Sequence, residues 1–322
     1  MSNSQLFFIS LILYFIILRF YFKIANSFNI IDKPNERSSH SKITIRGAGM
    51  LFPIAFLITF FTINEYANYW SLIIGTIAIS AISFLDDIIT LKNKFRLAIH
   101  FSSVALLLYQ VNLLELHPLF LLPAFILVVG VINSYNFMDG INGIHALYSI
   151  ILLGTLFYIS ETNYIILPSD IFIGLLASLV VFAYFNLREK AKCFSGDVGS
   201  VSIAFIIAYL IIQLIIKTED FKWILLLGIY GIDSVATIVL RLKRKENIFV
   251  AHRSHFYQYL ANDRKMSHVL VSIYYALVQL LFNFILLFGS MFVIVGSLIF
   301  LISIYIYLRI TLEGKSRLFK KY

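Results

Sequence analysis

The chain is 322 residues long, 60% hydrophobic and only 13% charged, with a formal net charge of +9 and a mean hydropathy of +0.88. Soluble domains carry roughly 45–50% apolar and about 25% charged residues, so this composition excludes a single water-soluble globule and points to a bilayer as solvent. In that setting the positive charge reads as basic cytoplasmic loops rather than a nucleic-acid surface, and the single cysteine, Cys193, excludes an intrachain disulfide.

A spanning helix needs about 20 mostly apolar residues, roughly 17–25. The first such run, 5–24, is followed by no small-residue cleavage site and reads as a retained helix, not a signal peptide. The loop after it, DKPNERSSHSKITIRGAG, brings Asp32, Pro34, Arg37, His40, Lys42 and Arg46 together with Gly47 and Gly49. As physics this is a basic loop with turns that can gather anions. Runs 47–63 and 68–85 follow, the second ending at Asp86 and Asp87 in FLDDIITL. Adjacent carboxylates at an apolar helix end are either a solvated pair at the membrane boundary or the oxygen ligands of a hard divalent cation.

Runs 97–113 and 117–137 lead into NSYNFMDGING, where Asn133, Asn136, Asp139 and Asn142 recur at steps of three. On a helix that spacing keeps them near one face as a hydrogen-bonding surface; otherwise it is capping and turn chemistry. Runs 143–160 and 164–185 precede CFSGDVGS, with Phe194, Gly196, Asp197, Gly199 and Ser200. A glycine turn before a helix can offer N–H groups to phosphate, or Asp197 can be a plain N-cap. Runs 199–217 and 221–240 bring the one deep charge, Asp233 in GIDS, and then the longest polar stretch, 241–267. It holds AHRSHFYQYL, with His252, Arg253, His255 and Tyr257; an arginine between two histidines suits phosphate recognition. Runs 268–288 and 290–309 complete the chain.

The expectation is therefore an all-α polytopic membrane helix bundle, one domain over 1–322, with about eleven spanning helices or, as the alternative count, ten. Alternate loops, together with the C-terminal tail, hold 22 of the 26 Lys and Arg residues. This places them in the cytoplasm, with the N-terminus outside and the C-terminus inside. Every unusual polar cluster falls on that side. A transporter of an anionic or phosphorylated solute, the runner-up, would carry its polar groups near the bilayer midplane. Carboxylates, glycine turns, basic groups and Asn/Asp at the inner face suit phosphoryl-type transfer from a soluble phosphorylated donor to a lipid.

Taken in order, DKPNxRSSH, FLDD, NxxNFMDGING, SGDVGS and AHRSHFYQ resemble the signature of the polyprenyl-phosphate N-acetylhexosamine-1-phosphate transferases. This is glycosyltransferase family 4, related to phospho-N-acetylmuramoyl-pentapeptide translocase. The match runs from Asp32 to Tyr257, and the AHRSHFYQ form most resembles the branch that starts O-antigen or capsule repeats. The resemblance implies transfer of a sugar-1-phosphate from a UDP-N-acetylhexosamine to undecaprenyl phosphate, with release of UMP, at the cytoplasmic face of a bacterial inner membrane. It implies Mg²⁺, with Mn²⁺ as a substitute, and the membrane lipid as setting; no nucleic acid is expected, and a homodimer is allowed. Carried onto this chain, Asp86 and Asp87 match the catalytic pair and additional metal ligands, and Asp197 the magnesium ligand. His252 and His255 match the histidine motif, and Phe194 an aromatic that stacks on uracil. Asp139 and Asn186 match nucleoside- or phosphate-side contacts; Asn133, Asn136, Arg253, His40 and Arg46 complete the expected substrate surface. Two departures separate the chain from the peptidoglycan enzyme: Thr90 where that enzyme has lysine, and HRSH where it has three histidines in a row.

Overall fold

Lipid cannot satisfy backbone N–H and C=O groups, so a chain this apolar folds as helices whose hydrogen bonds are internal. The computed structural model describes residues 1–32, 43–89, 91–115, 118–248, 250 and 252–319. Pro34, Arg37, His40, Lys42 and Thr90 lie outside the described residues. Each of the eleven expected runs contains a helix: α1 Asn3–Ser27, α2 Leu51–Thr62, α3 Trp70–Ile88, α4 Asn93–Gln110, α5 Pro118–Phe137, α6 Ile144–Thr162, α7 Ser169–Asn186, α8 Gly196–Thr218, α9 Gly228–Lys243, α11 His268–Phe288 and α12 Met291–Glu313. Short helices α10, Phe256–Gln258, and α13, Lys315–Phe319, fall in the polar stretch and the tail.

Eight of these segments are long and apolar enough to cross a membrane; Ala48–Thr62 and Leu121–Phe137 are shorter, and α4 carries Lys94 and Arg96 in its first turn. Two boundaries matter for the site. Helix α4 begins at Asn93, ahead of the expected 97, which takes Arg96 off the loop. Helix α8 begins at Gly196, ahead of the expected 199, which puts Asp197 in its first turn. One element departs from the all-helical expectation. A two-stranded antiparallel ribbon, β1 Ile31–Asp32 and β2 Thr44–Ile45, pairs Ile31 with Ile45 and Asp32 with Thr44.

Helix α8 is the pillar of the bundle: 89% of its membrane-length window is buried, against 6% for α12. It packs on α3, α5 and α2, while α7 packs on α1, α6 and α2, and α6 on α11. Small residues such as Ser200, Ser202, Ala204 and Ala208 let neighbours approach α8 closely, and Ile203, Phe205, Ile206 and Leu210 fill the space between. The ends of α3, α5 and α9 and the starts of α4, α8 and α11 meet at one end of this bundle. That is where the polar motifs gather.

Candidate active site

Two loops build the floor of the site. Phe194 donates its backbone N–H to the Ile45 carbonyl at 2.8 Å, Ala48 donates to Phe194 O at 3.0 Å and Gly49 to Ser195 O at 2.9 Å. The segment before α2 is thus stitched along the segment before α8. The stitch demands glycine. A Cβ on Gly49 would lie 2.3 Å from the Gly199 Cα, and one on Gly196 would lie 2.3 Å from Asp87 Oδ2, at a position whose φ of +72° already favours glycine. From the first loop, Tyr21 on α1 anchors Arg46 by donating to its carbonyl at 2.5 Å.

On this floor three of the predicted carboxylates meet two arginines. Arg46 Nε is 2.7 Å from Asp87 Oδ1 and its Nη2 is 3.6 Å from Asp197 Oδ1. Arg96 Nη1 is 2.6 Å from Asp86 Oδ2 and 3.8 Å from Asp197 Oδ2. The paired aspartates have different surroundings. The Asp86 side chain, 12% exposed, accepts from Leu91 N at 2.9 Å as well as from Arg96. The Asp87 side chain is fully buried and accepts the N–H groups of Asp197, at 2.9 Å, and Val198, at 3.1 Å. Those are orphan donors of the first turn of α8, so Asp87 caps the pillar helix from a distant element. In the sequence Arg96 is one basic loop residue among many; its place in the first turn of α4 turns it toward the pair.

The Asn/Asp stripe is not a single helical face, because α5 ends at Phe137. Asn133 is exposed and joins none of these bonds. Asn136 donates to Asp197 Oδ1 at 3.3 Å and to Ser200 Oγ at 3.0 Å, so it does reach the site. Asp139, past the helix end, is hydrogen-bonded by the Ser195 hydroxyl. Burial pushes its carboxyl up to about 8; the Ser195 hydrogen bond opposes this, and the charges of Asp197 and Asp87 add to it. Asn142 donates to Arg188 O at 2.8 Å and Glu189 O at 3.2 Å, a loop-fixing role. Asn186, expected to contact substrate, is buried and bridges two loops instead. It accepts from Gly143 N at 2.7 Å and donates to Cys193 O at 2.8 Å. Both ends of its amide are thus bonded to backbone, which gives Asn186 a positioning role. Phe194 is half-buried at the α8 entrance, two residues before the glycine turn.

The histidine stretch forms a second cluster that packs on the end of α5. The rings of His252 and His255 lie 5.0 Å apart, centroid to centroid, and 6.0 and 6.2 Å from Phe137. Tyr257 donates its hydroxyl to Phe137 O at 2.7 Å. Burial pulls His252 down to about 3, with His255, Arg241 and Arg244 adding to the effect, so His252 is neutral at physiological pH. Arg253 is set apart, beside a pocket of about 180 Å³ that Arg244, Glu246 and Arg317 also line.

The oxygen-only donor set of Asp86, Asp87 and Asp197 is of the type a hard divalent cation takes. Three carboxylates face two guanidiniums, so a cation supplied with a phosphate ligand fits the charge. Among the described residues, however, no three His, Cys, Asp or Glu side chains are already drawn to metal-ligand spacing. Asp197 and Asp86, with side chains 27% and 12% exposed, are better placed for a cation than Asp87, whose side chain is fully buried and caps α8; Asp86 would exchange its bond from Leu91 N or Arg96 for the cation.

The sequence model of Glycosyl transferase family 4 matches residues 69–215, which hold Asp86, Asp87, Asn136, Asp139, Phe194 and Asp197. The chain is similar to the probable undecaprenyl-phosphate N-acetylglucosaminyl 1-phosphate transferase of Bacillus subtilis, 26% identical over 273 residues, 79% of this chain and 76% of that one. It is similar to the undecaprenyl-phosphate alpha-N-acetylglucosaminyl 1-phosphate transferase of Escherichia coli K12, 23% identical over 281 residues, 80% of this chain and 76% of that one. It is also similar to a phospho-N-acetylmuramoyl-pentapeptide-transferase of Prochlorococcus marinus, 28% identical over 252 residues, 67% of this chain and 69% of that one.

Proposed function

We propose that this chain, which belongs to glycosyl transferase family 4, moves an N-acetylhexosamine-1-phosphate from a UDP-sugar to undecaprenyl phosphate. An oxygen of the acceptor phosphate attacks the donor's β-phosphorus, the bond to the α-phosphate breaks, UMP leaves, and a polyprenyl diphosphate sugar remains in the bilayer. The observation that carries this reading is the meeting of Asp86, Asp87 and Asp197 with Arg46 and Arg96 at one end of the apolar bundle. A soluble donor can reach such a place without leaving water, and a lipid phosphate without leaving the membrane.

Two anions must be brought together there, and positioning is the harder part of the chemistry. A phosphate monoester has a second pKa of about 6, so the acceptor is largely dianionic at neutral pH and needs little help from a base. Arg46 and Arg96 are suited to grip phosphate oxygens. Mg²⁺ held by Asp197 and Asp86 would neutralise charge on the transferring phosphoryl group, with Mn²⁺ as its substitute. Phe194 offers its ring for the uracil, and Asn136 and neutral Asp139 offer hydrogen bonds. The basic loops support a cytoplasmic site at a bacterial inner membrane, with the N-terminus outside. N-acetylglucosamine heads the donor candidates, because the Bacillus and Escherichia relatives are named for it. The product would start a surface polysaccharide of the O-antigen or capsule kind. The test is purified protein with Mg²⁺, undecaprenyl phosphate and a panel of UDP-sugars, scored for UMP. Release that depends on the lipid is expected. Solute uptake into proteoliposomes without UMP release would favour a transporter.

A further inference from the structure

The deep carboxylate of Asp233 lies outside the family match and takes no part in the chemistry above. It has no exposed surface, a costly place for a charge unless it is fully partnered. Six donors converge on it. Oδ1 accepts from His255 Nδ1 at 3.3 Å, Phe256 N at 3.0 Å, Tyr305 Oη at 3.1 Å and Thr237 Oγ1 at 3.2 Å; Oδ2 accepts from Tyr257 N at 3.3 Å and Tyr275 Oη at 2.6 Å. The donors come from α9 itself, the histidine stretch, α11 and α12. Arg309 closes the shell without touching Asp233, donating to Tyr305 Oη at 3.1 Å, Thr237 Oγ1 at 3.2 Å and Ser254 O at 2.7 Å.

This arrangement dictates more than loop position. A carboxylate only accepts, so the His255 nitrogen facing it must carry the proton. The other nitrogen, Nε2, is buried and has no hydrogen-bond partner among the described residues. A buried polar atom without a partner in a folded protein asks for one. The ring lies beside His252 and Phe137, and Phe137 is two residues before Asp139 of the carboxylate site.

We propose that Asp233 is a positioning residue that holds His255 as the Nδ1–H tautomer and thereby fixes its Nε2 as an acceptor for an N–H or O–H group of the bound donor. The inference rests on the transferase reading for its kinetic consequence and on the fold alone for the tautomer. An acidic partner behind a histidine is a known means of fixing tautomer and orientation.

The experiment has two arms. In the first, the full chain labelled with ¹⁵N-histidine in nanodiscs is examined by NMR, with His255 assigned through its loss in His255→Gln. A protonated Nδ1 and an unprotonated Nε2 are expected; a protonated Nε2 overturns the proposal whether or not the protein turns over any substrate. In the second, Asp233→Asn should lower kcat/KM by roughly 10–100-fold, with part of the loss seen as a raised KM for the UDP-sugar, and Asp233→Glu should recover part of it. On the His255→Gln background the same Asp233→Asn change should cost about two-fold or less, because two residues acting through one another are not additive. Equal cost in both backgrounds would mean that Asp233 serves the fold and nothing else. Absence of UMP release from the parent protein would refute the transferase reading and leave the NMR result to decide the tautomer.

Discussion

Asp87 and Asp233 are both carboxylates with fully buried side chains, and each is held in a different way. Asp87 is held by an arginine that is itself a third exposed and by the first N–H groups of α8. Asp233 is enclosed by tyrosines, a threonine, a histidine and backbone, with its nearest guanidinium one residue removed. A buried charge is stable only when hydrogen-bonded and paired. The first arrangement leaves its cation within reach of an incoming anion. The second is closed, and changes there act only through what Asp233 holds in place.

The largest expected effect lies on the open side. Asp197→Asn keeps the size of the side chain and removes its charge, and should lower UMP release ~100–1,000-fold, the range for deleting one group that stabilises developing charge. Thermal unfolding should barely move, since its arginine contacts are 3.6 and 3.8 Å long; full turnover would make the open cluster a structural one. Arg46→Met should act on stability instead. It leaves Asp87 buried beside α8 without its cation, and about 3 kcal/mol of unfolding free energy should disappear, the lower end for a broken buried pair because Arg46 is partly exposed. A loss as small as that of a surface pair, about 0–1 kcal/mol, would erase the distinction between the two centres.

A smaller effect is expected at Phe194. Phe194→Ala should raise the apparent KM for every UDP-sugar alike by about ten-fold, since stacking on a base is worth roughly 1–3 kcal/mol. An effect on kcat alone would assign the ring to holding the 193–196 turn. The effect of Asp139→Asn should depend on pH. The carboxyl, normally near 3.8, is pushed up to about 8 in the folded chain. Between those values the folded protein keeps a proton that the unfolded chain has released, so this group's contribution to stability falls as pH rises. The asparagine variant carries no such slope. Melting curves of parent and variant should therefore separate in favour of the variant from pH 5 to 8, with little difference at the acid end. Parallel curves would show that Asp139 is ionised in the site.

Much of this was legible in the amino-acid order. A bilayer demands long apolar runs, so each helix announces itself, and Asp86, Asp87 and Asp197 stand out as charges at apolar helix ends. The remainder depends on where helices stop. Asn133, Asn136, Asp139 and Asn142 look like one stripe only if α5 continues, and it ends at Phe137. Arg96 looks like any basic loop residue until α4 starts at Asn93. Asn186 is polar at a helix end, as a ligand-binding residue would be, and only the fold shows both ends of its amide bonded to backbone. The ribbon of β1 and β2 is two residues per strand, too short for an alternating pattern. Asp233 is visible as a lone deep charge, but five of its six partners arrive from 22 to 72 positions away, once the chain doubles back.

The capping of α8 by Asp87 bears on how such a protein can diversify. On the proposed function, one carboxylate serves both the reaction centre and the most buried of the described helices, so selection for a new sugar donor would not rework that position without jeopardising the scaffold. Freedom to explore lies in side chains that do not cap α8, such as Phe194 or Asn136. Lineages that change donor are expected to vary at those positions while inheriting the Asp87, Gly196 and Asp197 arrangement intact.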